Sequence, residues 1–212
     1  MQTKPIAPLS KNSSQQGASL IMVMIILTIV SLLGVAGIQV SMLSERGARN
    51  DRDKLLAWQS AEAGLADAEL DVFTPAPPDV SLSSRGTYFS PSTNVPAFVA
   101  GCGSTGNSIG LCTLVATGKP AWLTVDFDAT GSTAQTTEYG QYTGRTFAAG
   151  GPGVQPAKKP RYVIEPVPDQ FGAGSASRDL GSSDTKFVYR ITAMGYGPRT
   201  DIQAVVQMLY RD

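Results

Sequence analysis

The sequence predicts an α+β fold, a long N-terminal helix carrying an antiparallel sheet on its C-terminal half. Three observations predict it. No charged residue occurs from Asn12 to Ser44. A second helical stretch then continues without a proline until Thr74-Pro75-Ala76-Pro77-Pro78. The chain ends in two runs that alternate apolar and polar residues, the pattern of half-buried strands.

The apolar run extends from about Ala18 to Leu43, longer than the ~20 residues a bilayer-spanning helix needs. It admits three readings. One is a signal peptide cut after the run, near Gly34-Val35-Ala36. Another is an ordinary single-span anchor. The third is a segment cut before the run, at Gly17, with the span retained. The residues after the run favour the third, because they continue as a helix. Leu55, Trp58, Ala61, Leu65, Ala68 and Val72 recur at three- and four-residue steps and predict an amphipathic packing stripe. Prolines then end it, since they lack the amide donor and disfavour helix in the preceding residue. One helix from Ser19 to Phe73 would be ~80 Å long at 1.5 Å per residue.

Beyond the prolines the signals are shorter. Thr113–Thr117 and Trp122–Phe127 read as strands around the turn Gly118-Lys119-Pro120-Ala121. Residues 128–160 read as a loop, and Arg161–Glu165 as a strand. Lys186–Met194 and Asp201–Tyr210 form the strongest pair, joined through Gly195-Tyr196-Gly197-Pro198. Phe187, Tyr189 and Ile191 share one face of the first, and Ile202, Ala204, Val206 and Met208 one face of the second.

Composition narrows the function. Basic and acidic residues balance at 17 each, and no basic cluster points to nucleic acid. Histidine is absent, which removes the commonest general base and the commonest metal ligand. A membrane-anchored exported enzyme therefore finds little support, and no cofactor or metal is expected. Cys102 and Cys112, the only cysteines, read as one small disulfide loop in an exported domain. Such a loop stabilises by about 2.5–3 kcal/mol in the chain-entropy model. Asp126-Phe127-Asp128-Ala129-Thr130-Gly131 opens like a calcium loop, but Thr137 stands where the bidentate glutamate belongs. The run reads instead as a strand end entering a polar loop. Glu62, Asp67, Glu69 and Asp71 read as the solvated face of the helix, and Trp58 and Trp122 as core residues.

The run Gly17-Ala18-Ser19-Leu20-Ile21-Met22, the apolar helix, Leu43-Ser44-Glu45-Arg46 and the stretch Ala57-Trp58-Gln59-Ser60-Ala61-Glu62-Ala63-Gly64-Leu65-Ala66-Asp67-Ala68-Glu69 resemble the type IV pilus minor pilins of the PilX type. The resemblance covers residues 10–72 well and extends more loosely to the C-terminal strand pair. It implies a pilin-like fold and a division into a leader (1–17), a transmembrane and filament-core half-helix (18–43), an amphipathic half-helix (44–73) and a β-rich body (74–212). It implies cleavage between Gly17 and Ala18 by a prepilin peptidase, N-methylation of Ala18, and residence in the inner membrane before assembly into the pilus. Implied partners are other minor pilins, the major pilin and a tip adhesin, in a complex that initiates assembly and supports adhesion and twitching motility. Pilins usually carry glutamate at the fifth mature position, where Met22 stands here. That departure suggests a subunit at or near the tip. A minor pseudopilin of a type II secretion system shares the same N-terminal logic and is the runner-up. Arg46, Arg49, Arg52 and Lys54 lie just after the span and would place that side inside by charge counting alone. The cysteine pair and the β-rich body suit the opposite, periplasmic placement.

Overall fold

A computed structural model describes residues 18–73, 85, 89, 97–168 and 187–211. The leader with Gly17, the Thr74–Pro78 break and Lys186 lie outside the described residues. The chain divides into two compact units, one up to Arg49 and one from Asn50 onward. Helix α1, Ala18–Phe73, contributes to both.

In the first unit the described residues from Ser19 onward are exposed on every side of the helix, Leu20, Ile26, Leu33 and Val40 among them. As far as Leu43 that surface is almost all apolar, which suits lipid or the apolar surface of another chain. Among the described residues α1 is the one helix long and apolar enough to cross a membrane. Gly34, Gly37 and Gly47 meet nothing where a Cβ would stand.

Among the described residues the second unit is built on a four-stranded antiparallel sheet in the order β1-β2-β3-β4: Thr137–Glu138, Arg161–Pro168, Phe187–Tyr196 and Gln203–Tyr210. The two C-terminal runs pair as expected, with Ile191 opposite Met208 and Ala193 opposite Val206. In β4, Ala204, Val206, Met208 and Tyr210 turn inward while Gln203, Val205, Gln207 and Leu209 face out. The first strand of the pair runs on through Tyr196, so the connection is Gly197–Ile202, closed by Gly197 N–H donating to the Ile202 carbonyl at 2.8 Å. Strand β2 extends past Glu165 to Pro168. Its prolines fit because Ile164, of the same parity, donates its N–H away from β3, to the Gly110 carbonyl at 2.8 Å. The amides missing at Pro166 and Pro168 therefore belong to the side not paired with β3.

Each face of the sheet carries a core. On one face Tyr162, Ile164, Tyr189, Ile191 and Ala193 pack with Leu65, Ala68 and Val72 of α1 and with Phe89, Phe98 and Leu111. On the other, Val163 packs with Cys102, Cys112, Ala121 and Phe127, with Trp122, Val125 and Met194 alongside.

Two expected strands do not form. Residues 113–117 are irregular, and Ala121–Leu123 is a 3-10 turn. Pro120 precedes that turn, and the Thr124 hydroxyl closes it by donating to the Ala121 carbonyl at 2.9 Å. The segment makes its own local hydrogen bonds and has no need of a ladder partner. The stretch 128–160 holds a 3-10 turn at Gly131–Thr133 as well as strand β1.

The helix also turns a different face inward from the one its large residues predict. Leu65 and Val72 are buried as expected, but Leu55 and Trp58 are 53% and 50% exposed. The buried residues are Ala57, Ser60, Ala61, Gly64, Leu65, Asp67, Ala68, Asp71 and Val72. Close approach of backbones is the cause. A Cβ at Gly195 of β3 would meet the backbone of Ala57 and Ala61, and one at Gly64 would lie 3.2 Å from Ala193 and Pro160. At that separation a small-residue face packs and a tryptophan does not.

Candidate functional site

The acids Asp67 and Asp71 stand four residues apart on α1, hence on one face, and that face is buried. This corrects the solvated-face reading for these two, while Glu62 and Glu69 are exposed as expected. Asp71 forms a fully buried ion pair with Arg85: Nε donates to Oδ1 at 3.1 Å and Nη2 to Oδ2. The Tyr162 hydroxyl of β2 donates to the same Oδ2 at 2.8 Å. Arg85 Nη1 donates to the carbonyls of Ile109 at 2.6 Å and Asn107 at 3.2 Å. The guanidinium carbon lies 3.7 Å from the centre of the Tyr142 ring. Burial would lower the Arg85 pKa, but the Asp71 charge and its hydrogen bonds outweigh that and raise it. Burial, reinforced by the Asp71 charge, pushes the Tyr162 hydroxyl far above its ordinary range. The cluster is a neutral tyrosine and a charged pair with their donors satisfied, the condition under which buried charge is tolerated.

Asp67 organises the neighbouring turn. It accepts the Gly140 N–H at 2.7 Å and the Thr143 hydroxyl at 2.5 Å, with Arg145 at 3.8 Å. Gly140 has φ +79°, and a Cβ there would strike the Arg145 carbonyl, so this position requires glycine. Burial raises the Asp67 pKa, and the bonds from Gly140 and Thr143 only partly offset it.

The disulfide is formed between Cys102 and Cys112, whose Cα atoms are 4.0 Å apart. Cys112 N–H donates to the Ile164 carbonyl at 2.9 Å, which docks the loop on the side of β2 away from β3. Asp126 Oδ1 accepts the Asp128 N–H at 2.8 Å, and Lys158 pairs with Asp128 at 2.7 Å. Among the described residues no group of three or more metal-ligating side chains occurs.

Two family models match the chain. One, PilX N-terminal, matches residues 16–66, and the other, Type IV pilus assembly protein PilX C-term, matches residues 108–212. The chain belongs to the PilX family of type IV pilus assembly proteins. Comparison with curated proteins and with solved structures finds no match. As a minor pilin of this family the protein acts within the type IV pilus machinery, and its N-terminal helix suits a membrane anchor.

The residues expected to matter in a PilX-family pilin are spread along the chain. Ala18 is the first described residue of α1, and Met22 is 67% exposed on the helix. Leu65 and Val72 lie in the core with Tyr162 and Ile191, whereas Leu55 and Trp58 face out. Trp122 is half-buried beside the disulfide. Sequence reasoning missed the Asp71–Arg85–Tyr162 cluster. The available signal was the i,i+4 spacing of Asp67 and Asp71 within the small-residue run Ala61, Gly64, Ala68. Nothing around Arg85, in Ser83-Ser84-Arg85-Gly86, marks it as a buried cation.

Proposed function

We propose that the protein is made as a prepilin, cut between Gly17 and Ala18 and methylated at Ala18, and that it helps initiate pilus assembly at or near the tip. The observation that carries this reading is the surface of α1 up to Leu43. It is apolar all round, exposed within the chain, and has Met22 at the fifth position after the cut. A carboxylate at that depth would be costly in lipid and would need a partner in a filament. Methionine has neither requirement, which fits a subunit that need not pair with a neighbour's terminal amine. The body after residue 73 would stand in the periplasm and later on the pilus, where a disulfide is stable. Its partners would be the other minor pilins, the major pilin and a tip adhesin. We take its role as structural, in keeping with the family.

Mass spectrometry of the mature N-terminus tests the cut. N-methyl-Ala18 is expected, and a start near Gly37 would overturn it. Placement is tested by deletion and by immunogold labelling. The reading expects loss of surface pili on deletion and label confined to pilus ends. Loss of exoprotein secretion with pili intact, or label spread evenly along pili, would count against it.

A further inference from the structure

A cavity of about 340 Å³ opens where β1 meets the start of β2. Register sets its chemistry. Glu138 pairs with Arg161 across the two strands, Lys159 lies two residues before Arg161, and Tyr139 N–H donates to the Pro160 carbonyl between them at 3.0 Å. Arg145, just after the turn held by Asp67, lines the same cavity.

Three cations thus face one carboxylate, and their states differ. Arg161 is engaged through all three of its nitrogens. Its Nε donates to the Thr136 hydroxyl at 2.7 Å, its Nη2 to the Thr136 carbonyl at 2.7 Å, and its Nη1 to Glu138 at 3.2 Å. Lys159 donates to the other oxygen of Glu138 at 2.9 Å, is 44% exposed, and has two further N–H groups. Arg145 makes no guanidinium hydrogen bond among the described residues. Its nearest anion is Asp67 at 3.8 Å, and it lies 5.2 Å from the centre of the Tyr139 ring. Even counting Asp67 behind the wall, positive charge is in excess. Arg145 therefore presents a planar fork of uncommitted donors, the geometry suited to a carboxylate.

We propose that this cavity is a recognition site for an acidic side chain of a peptide partner, with the carboxylate held between Arg145 and Lys159. Two features select a single carboxylate on an apolar stem. Glu138 already stands in the cavity and opposes a multiply charged anion. The walls beside the cations, Tyr139, Ile109 and Ala134, offer surface for methylene groups. Such recognition is independent of where the subunit sits in a pilus.

The test uses the full chain in detergent micelles, titrated by NMR with acetyl-Ala-Glu-Ala-amide, its glutamine counterpart and inorganic phosphate. The glutamate peptide should bind about tenfold or more tighter than the glutamine one, since charge-assisted bonds are about twice as strong as neutral ones. Its affinity should fall with added salt. Arg145→Gln and, separately, Lys159→Gln should each weaken it. Arg199→Gln, at an exposed pair with Asp201, should not. Equal affinity for the two peptides, no binding of the glutamate peptide, or no effect of either cavity variant overturns the proposal. Phosphate that binds as tightly and displaces the peptide also overturns it, and assigns the cavity to free anions.

Discussion

Helix α1 carries two kinds of surface. Before Arg49 its described residues are exposed whatever their character, and those up to Leu43 are almost all apolar. After Asn50 its inward face is made mostly of alanine, glycine, serine and two aspartates, with Leu65 and Val72 its only large apolar members, and its largest side chain, Trp58, points out. Hydrophobicity alone would put the contacts in the wrong place. In the first stretch apolar character marks surface without a partner in this chain. In the second, smallness and buried charge mark the packed face, because backbone approach at Gly195 and the Asp71 cluster decide it.

The sharpest way to break this contrast is to remove Asp71. Asp71→Ala leaves Arg85 buried without its counter-charge, at a cost of about 3–5 kcal/mol. Thermal unfolding of the detergent-solubilised chain should show a large drop in Tm. Replacing Asp71 and Arg85 together by leucine and methionine should recover much of it, because no lone charge remains. Two glycines sharpen the comparison at intermediate size. Gly195→Ala puts a Cβ into the backbone of Ala57 and Ala61 and should cost about 1–3 kcal/mol as overpacking. Gly34→Ala meets nothing within the chain and should raise helix stability by up to about 1 kcal/mol. Opposite signs are expected in paired melts, and equal signs would remove the distinction between the two stretches.

The smallest effect belongs to Asp67. Its folded pKa is raised chiefly by burial, so the folded state holds that proton more tightly than the unfolded one. Its contribution is therefore present below the ordinary carboxylate pKa and lost as pH rises through the folded value. Asp67→Asn keeps an acceptor for Gly140 without a buried charge. Its melting temperature should depend less on pH across that window than the parent's, and at neutral pH it should cost far less than Asp71→Ala.

Much of the fold was legible because its signals are local. The uncharged run gave the apolar stretch, periodicity the continuation to Phe73, and alternation the β3–β4 hairpin. The cysteine pair, too, was readable from spacing. The failures have two causes, local hydrogen bonds that outcompete a strand and partners distant in sequence. Thr113–Thr117 and Trp122–Phe127 have strand-like composition, but a proline and a threonine hydroxyl commit the second to a turn. Strand β1 is two residues long and exists through its pairing with Arg161 and Tyr162. Trp58 was misplaced because the inward face of the helix is chosen by Gly195, 137 positions later. Asp71 was misread because its neutralising cation lies across a proline-rich stretch with no periodic signal.

The bond from Tyr162 to Asp71 spans 91 residues, whereas the disulfide spans 10. Closing the longer span is entropically dearer and slower. During synthesis the helix emerges first, and its carboxylate at position 71 has no tyrosine until β2 has been made. Strand β3, which brings Gly195 against the helix, comes later still. The small cysteine loop can close before either. In time, then, the helix is a guest that arrives early at a site completed by the tail of the chain. Any event that halts the chain before Tyr196 leaves the face of residues 57–72 wet, charged and open to other company.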